Sequence, residues 1–512
     1  MNIATLLEDH PGSRTAIVSG SDRVSYGQLR EEIAAIRGVL TGLGLEPGDR
    51  VAILCGTNTR FVHAWYGAVG AGMVAVPLNP QAPAAEIQRE LSVVHARAVI
   101  AGPAGVAALE SLDRSEVPSL EHCLVPTGAV LEGAIDLDAA VAQAADAPPA
   151  VAQDAVTQKA GVPIVDRDDE QLATLLFTSG TAGSPKAAML THGNLASNIR
   201  QVLARPEQVA RPDDVTVCVV PLFHVLGLNS ILNLSLWVGA TLVLVERFDP
   251  VSMVGLIVEE QVSTLAGPPT MWSALTHLED VEEGAFSRIR LAASGAAAIP
   301  DRVVEQAQAR FGVRIYEGYG LTEASPTVTL ATGTDAPIGS IGRPIPGVEV
   351  RLVDKGDDVY VGDPGEVLVR GPNVFRGYLG DPVATARVID EEGWLHTGDI
   401  AVVDDDGYLY LVDRAKDLVI VSGFNVFPAE VERVLVTHPA VREAGVVGIP
   451  HPYSGETVKA FVVAEDGYMV EEDDLVAWCA NELARYKCPT KIDFVDEIPR
   501  GMGGKVLRRE LR

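Results

Sequence analysis

The 512-residue chain reads as an α/β protein with a large N-terminal part and a small C-terminal one. Helix and strand signals alternate from the N-terminus to about residue 330, and short alternating strands follow between 337 and 412. The last hundred residues read as a separate α+β unit. A chain of this length exceeds a single hydrophobic core and is expected to divide into two to four domains.

Ser25 has the chemistry of a helix N-cap. Leu29, Ile33, Ile36, Leu40 and Leu43 follow in steps of four, three, four and three, which puts one apolar stripe on a helix that Gly44 ends. After a Pro-Gly-Asp turn comes the strand Val51–Leu54, and a second helix and the strand Val74–Pro77 repeat the alternation, as parallel α/β construction requires. Residues 124–166 are rich in Ala, Val, Pro and Asp without periodicity and read as a loosely structured connection. From 171 the α/β alternation resumes. Val215 to Val245 carries no Asp, Glu, Lys or Arg, a length that by itself suggests a membrane span. Pro221, His224, Gly227, Asn229, Asn233 and Gly239 interrupt it, so a buried strand, loop and helix lining a substrate pocket is expected instead. The strands Val348–Val353, Gly365–Arg370 and Tyr408–Val412 suggest a small β subdomain. Near the end, strands at Ala444–Ile449 and Val458–Val463 and a helix at Asp473–Arg485 complete the pattern, and no internal repeat is visible.

Composition excludes several classes. A formal charge of −29 opposes nucleic-acid binding and docking on anionic lipid, because repulsion from phosphate would outweigh any local basic patch. The five cysteines (Cys55, Cys123, Cys218, Cys479, Cys488) are scattered and form no CxxC pair, so neither a disulfide framework nor a zinc site is signalled. The acidic start lacks a basic flank and a long apolar run, and Glu510-Leu-Arg512 is no peroxisomal tripeptide, so a cytoplasmic enzyme without a membrane span is expected. Its oligomeric state is left open, a homodimer included.

The chemistry begins at Thr178-Ser-Gly-Thr-Ala-Gly-Ser-Pro-Lys186, behind a probable buried strand and ahead of a helix-like run opened by Thr191-His-Gly-Asn194. Glycines let successive N–H groups converge on one anion, and the hydroxyls add donors, so this is a phosphate-handling loop. It is not the Walker loop, since Ser-Pro separates Gly183 from Lys186 and Ala187 follows the lysine. Tyr319-Gly-Leu-Thr-Glu323, Thr397-Gly-Asp399, Asp413-Arg-Ala-Lys-Asp417 and Gly503-Gly-Lys505 follow in order. Together these blocks resemble the adenylate-forming superfamily of acyl-CoA synthetases, firefly-type luciferases and peptide-synthetase adenylation domains, over nearly the whole chain.

The resemblance implies an adenylation domain over 1–412, with two α/β layers and a small β-barrel, a hinge at 413–417 and a mobile C-terminal domain over 418–512. It implies adenylation of a carboxylic acid by ATP with Mg²⁺, followed by transfer to CoA. Thr178, Ser179, Gly180, Thr181, Ala182, Gly183 and Lys186 would hold the β- and γ-phosphates; Ala182 and Ala187 depart from the usual pattern, where a hydroxyl residue and a glycine are common. Tyr319 and Gly320 would lie against adenine, with Gly295 and Ala296 of Ser294-Gly-Ala-Ala-Ala298 forming the other wall. Thr322 would touch the α-phosphate, and Glu323 would bind Mg²⁺, a hard cation suited to carboxylate oxygen. Asp399 would accept from the ribose hydroxyls, and Arg414 would approach from the hinge, whose pivot is Lys416. Lys505 would offset charge during adenylation, and Ser422 and Gly423 would line the pantetheine path once the small domain has turned.

Pro221-Leu-Phe-His-Val-Leu-Gly227 resembles the family's acyl-pocket motif. His224 stands where amino-acid-activating relatives place an aspartate, which disfavours an amino-acid substrate. The resemblance leaves His224 two roles, pocket gating or general base; gating is preferred, because a carboxylate nucleophile needs no deprotonation at neutral pH. The apolar residues after it suit a medium- or long-chain fatty acid, and aryl acids of the cinnamate or benzoate type remain open. So do a carrier protein as acceptor in place of CoA, a luciferase-like oxygenase, and a binding protein that kept the fold without the chemistry.

Overall fold

The computed structural model describes residues 1–146, 162–178, 186–207, 209–414, 417–421, 424–451, 455–465, 467–501 and 506–511. Among these residues two large, mainly parallel sheets form the bulk of the molecule. The nine-stranded sheet runs, in spatial order, Arg343–Pro344, Thr327–Leu330, Ile315–Gly320, Leu291–Ser294, Thr264–Gly267, Val215–Cys218, Thr241–Leu244, Thr15–Ser19 and Asp22–Ser25. Its six central strands are parallel and its edges antiparallel. The seven-stranded sheet has the order Ile135–Asp136, His122–Val125, Ala98–Ala101, Arg50–Leu54, Val74–Pro77, Leu172–Thr178, Lys186–Thr191, and only its last pair is antiparallel.

Helices fill three layers around these sheets. Tyr26–Gly42, Thr59–Gly70 and His192–Leu203 are sandwiched between them, where Ile33, Trp65, Tyr66 and Leu195 share one core with Ile17, Ile53 and Leu242. Pro250–Glu259, Pro269–His277 and Asp301–Phe311 cover the outer face of the larger sheet through Met253, Trp272 and Val303. Ala84–Val93 and Pro103–Glu110 cover the smaller sheet through Ile87, Leu91 and Leu109. Strands buried on both faces are continuously apolar, as Val51-Ala-Ile-Leu54 is, because each face must meet a helix layer.

The expected first helix is present, with Ser25 accepting from the Gln28 N–H, the Gln28 side chain returning to the Ser25 N–H, and Gly44 in the left-handed region. The uncharged stretch divides into the strand Val215–Cys218, a π-helical segment Leu226–Asn233, the helix Leu234–Val238 and the strand Thr241–Leu244. No helix among the described residues is long and apolar enough to cross a membrane. One expectation differs from the structure. The connection read as loose, 124–166, takes in the end of the strand His122–Val125, the strand Ile135–Asp136 and the helix Leu137–Asp146. Leu137, Ala140, Val141 and Ala144 face the core at helical spacing, but Ala139 and Ala142 between them blur the contrast from which a period is read.

The small β subdomain is a five-stranded antiparallel sheet ordered Asp357–Asp358, Glu349–Asp354, Gly365–Arg370, Leu395–Val403, Leu409–Arg414. In the C-terminal part, Val441–His451 and Gly455–Ala464 pair antiparallel, and Glu472–Glu482 packs Leu475 and Cys479 onto them. Its buried residues from Val419 onward form clusters of their own, and Arg302 of the large part donates to the carbonyl oxygens of Val441 (3.3 Å) and Arg442 (2.6 Å).

Gly342 joins the large sheet to the β subdomain by a bridge to Leu409, with φ +85°. A Cβ at Gly342 would overlap the Leu330 carbonyl. Gly342→Ala is therefore expected to destabilise the protein by about 2 kcal/mol or more, read as a lower urea midpoint of the transition that loses the large part.

Candidate functional site

The strands of both sheets end at a single cavity of about 760 Å³. The smaller sheet contributes Pro77 at the end of the strand Val74–Pro77, Leu78 and Asn79 just past it, and Thr178 and Lys186. The larger contributes Gly267, Ser294, Gly295, Ala296, Tyr319 and Gly320. Crevices at the carboxyl ends of parallel strands are where open α/β sheets take ligands, because the connecting loops diverge there and leave N–H groups free.

Thr178 and Lys186 face each other in register as the last pair of an antiparallel hairpin. The expected phosphate loop therefore lies between the two strands of this hairpin, and the expected helix follows at His192, capped by Thr191 and Asn194. Ser179, Gly180, Thr181, Ala182 and Gly183 lie outside the described residues.

Two tyrosines organise the carboxylates. The Tyr378 hydroxyl donates to Glu323 Oε1 at 2.7 Å, while Lys186 Nζ lies 5.0 Å from the centre of the same ring. Leu379 N–H donates to the Ala187 carbonyl, and Phe375 N–H donates to that of Glu323, so the segment 375–379 ties the hairpin to the Thr322–Glu323 turn. Burial, and then Glu323, raises the Tyr378 pKa, so the phenol remains a donor. The Tyr319 hydroxyl donates to Asp399 Oδ2 at 2.7 Å, and the Asp399 N–H is held by Thr397 Oγ1 at 3.1 Å. A Cβ at Gly320 would overlap the Pro326 carbonyl, which explains the glycine in that turn.

His224 lines this cavity and also a second one of about 240 Å³ bounded by Phe248, Pro268, Thr270 and Met271. The residue is exposed where it borders these cavities, and loss of hydration around its ring lowers its pKa. Its Nδ1 accepts from the Leu226 N–H at 3.3 Å, so the neutral ring carries its proton on Nε2.

Of the residues singled out in the sequence, Thr178, Lys186, His224, Gly295, Ala296, Tyr319, Gly320, Thr322 and Glu323 line the one cavity, and Asp399 reaches it through Tyr319. Arg414 is opposite Asp399 in strand register. Lys416, Ser422, Gly423 and Lys505 are outside the described residues; Gly501 and Leu507 on either side of the last one also line the cavity. No group of three or more His, Cys, Asp or Glu able to cage a metal occurs among the described residues. A cavity-lining carboxylate such as Glu323 suits a cation that takes one protein ligand and completes its shell with phosphate and water, the habit of Mg²⁺.

The model of the AMP-binding enzyme family matches residues 5–379. The chain belongs to the AMP-binding enzyme family. The C-terminal domain model of the same family matches residues 430–505. A feruloyl-CoA synthase from Amycolatopsis sp is 35% identical over 501 residues, covering 97% of this chain and 95% of that protein. A long-chain-fatty-acid–CoA ligase from Escherichia coli O157:H7 is 36% identical over 513 residues, covering 97% and 91%. Among solved structures, ATP-bound MatB from Rhodopseudomonas palustris superposes with a TM-score of 0.89 at 30% identity, covering 100% of this chain and 98% of that one. This AMP-binding enzyme is thus an adenylate-forming acid–thiol ligase, and ATP and CoA are the co-substrates of that class.

Sequence reasoning missed Tyr378 and Glu90. Nothing in Arg376-Gly-Tyr378 marks the tyrosine, because its partners come from elsewhere in the chain. Glu90 did carry a signal, since it falls with Ile87 and Leu91 on the buried face of Ala84–Val93. It lines the cavity beside Asn79 and Glu86, and burial, reinforced by Glu86, pushes its pKa up to about 7. The folded enzyme therefore holds this proton more tightly than the unfolded chain does. The ionised group is a full penalty above pH 7, and the penalty fades as pH falls towards 4.5. Glu90→Gln is expected to stabilise the enzyme by roughly 1–3 kcal/mol at pH 8 and to change little at pH 4.5, measured by thermal unfolding at both values.

Proposed function

We propose that this enzyme is an ATP-dependent carboxylic acid–CoA ligase acting on an acid with an apolar body. The observation that carries this reading is the continuity of the cavity. It runs from Thr178 and Lys186, past Thr322, Glu323 and His224, to an inner end walled by Val202, Ile231, Leu234, Leu291 and Leu330. ATP and the acid would thus meet end to end, phosphates at the charged end and acyl body at the apolar one.

In the first half-reaction an oxygen of the substrate carboxylate attacks the α-phosphorus of ATP, and the bond to the β-phosphate oxygen breaks to release pyrophosphate. Both reactants are anions, so the protein's task is neutralisation and alignment. Lys186 and the hairpin connection hold the terminal phosphates, Thr322 the α-phosphate, and Tyr319 and Asp399 the nucleoside. Glu323, held by Tyr378, would hold Mg²⁺, which would supply charge neutralisation on the phosphates. Lys505 offsets charge at the bridging oxygen. His224, neutral and with Nε2 as donor, orients the carboxylate and gates the way to the second cavity; a proton on Nε2 and an occupied Nδ1 leave it no basic nitrogen. In the second half-reaction the small domain turns about Lys416 in the hinge 413–417. Ser422 and Gly423 then flank the CoA thiol, whose sulfur attacks the acyl carbon as AMP leaves. The separate cores of the parts before 413 and after 418 support such a division.

A medium- or long-chain fatty acid is the leading substrate, supported by the apolar wall and the E. coli relative; an aryl acid is the alternative, supported by the feruloyl-CoA synthase. The five cysteines, all free and buried, suit a cytoplasmic setting. Pyrophosphate release across a panel from acetate to stearate, with benzoate and coumarate, is expected to accelerate with CoA for one group of acids. Release indifferent to CoA, with acyl-AMP retained, would instead indicate a carrier-protein acceptor. Lys505→Ala is expected to slow adenylation about 100-fold or more while sparing thioester formation from supplied acyl-AMP; equal loss in both steps would refute its assignment.

A further inference from the structure

The inner end of the cavity is less apolar than its walls. Parallel register sets Thr216 beside Thr264 and Thr264 beside Leu291 on one face of the nine-stranded sheet, with Ala266 and Ala293 two residues further on, nearer the mouth. All five line the cavity. The alanines are small where a packed core would carry Val or Leu, and so the space exists. The two threonines are harder to explain by packing. Thr216 is 6% exposed and Thr264 9% exposed, and neither side chain has a hydrogen bond to any described residue; the Thr264 hydroxyl is buried without a partner. A buried hydroxyl left unpaired is costly, and valine would fill the same volume in a strand without that cost. The neighbouring Asp214 also lines the cavity, but its carboxylate is already engaged by Arg290, Ser263 and the Arg211 N–H. It offers no uncompensated charge, so a cationic ligand group is not what this floor selects.

We infer that Thr216 and Thr264 form the distal subsite of the acyl pocket and select acids whose apolar body ends in a hydrogen-bond-accepting oxygen, a ketone or hydroxyl. This inference rests on the ligase reading above and narrows its substrate class. Thr264 is three residues inward from Gly267 at the mouth, about 10 Å along a parallel strand, which sets the separation of that oxygen from the carboxyl end. A rotation of about 120° around Cα–Cβ carries a threonine hydroxyl to another staggered position, and in this way either side chain turns its donor to an oxygen that arrives. A plain alkyl chain leaves both hydroxyls unpaired and gains only the apolar walls.

The test compares matched acids with the full-length enzyme, ATP and CoA: 9-oxodecanoate against decanoate, and 4-hydroxycinnamate against cinnamate. In at least one pair kcat/KM for pyrophosphate release is expected to favour the oxygenated acid by about 10-fold or more. In Thr216→Val/Thr264→Val that preference is expected to vanish through loss on the oxygenated acid alone, while the plain acid is turned over as well as before or better. Unimpaired turnover of the plain acid also shows that the variant folds; should the double variant fail to fold, Thr264→Val alone is read in the same way. Equal rates within both pairs in the unmodified enzyme, or an equal loss on both members in the variant, would overturn the subsite while leaving the ligase standing. No release with any acid of this set or of the wider panel would overturn the ligase reading itself.

Discussion

Parallel strand pairing is the constraint on which this molecule rests. A parallel strand must be re-entered from the same end, so most crossovers here return through a helix and the parallel strands of each sheet deliver their carboxyl ends to one side. Two such sheets share one helix layer and place those ends around a single cavity. The hairpin holding Thr178 and Lys186 comes from one sheet, and Gly267, Gly295 and Tyr319 from the other. Neither sheet alone assembles the site.

Carboxylates close to an expected polyphosphate need restraint, and hydrogen-bond donors supply it. Tyr378 holds Glu323 and Tyr319 holds Asp399, both at 2.7 Å, and each phenol fixes its oxygen without adding a charge that a phosphate would have to compete with. Glu90 shows the other outcome. Buried near Glu86, it retains its proton up to about pH 7, because desolvation opposes the charged form. The cation over the Tyr378 ring, Lys186, completes a chain that couples the phosphate hairpin to the Glu323 turn.

The acyl end follows from packing rather than from charge. Where the outer face of the nine-stranded sheet meets its helices, Met253, Trp272 and Leu275 fill the interface. On the inner face Ala266 and Ala293 leave it open, and the covering segment Leu226–Val238 supplies Ile231 and Leu234 as a far wall. One sheet thus carries a solid core on one side and a substrate space on the other, and the difference is a few side-chain volumes.

Much of this was legible in the chain itself. Apolar periodicity marked Tyr26–Gly42, and the interrupted apolar run foretold the elements of Val215–Leu244, because helix and strand periods are local properties of sequence. The ordered motifs, through their resemblance to adenylate-forming enzymes, pointed to Lys186, Tyr319, Thr322, Glu323 and Asp399, and the fold brings these residues to or beside one cavity. The helix Leu137–Asp146 escaped, since alanines off its core-facing stripe blur that stripe's edges. Tyr378, the floor formed by Thr216 and Thr264, and the two spaces on either side of His224 were decided by tertiary structure alone. Each depends on residues far apart in the chain meeting across a sheet or a crevice, and such distances are set by strand register and layer packing, which leave no mark at any single position.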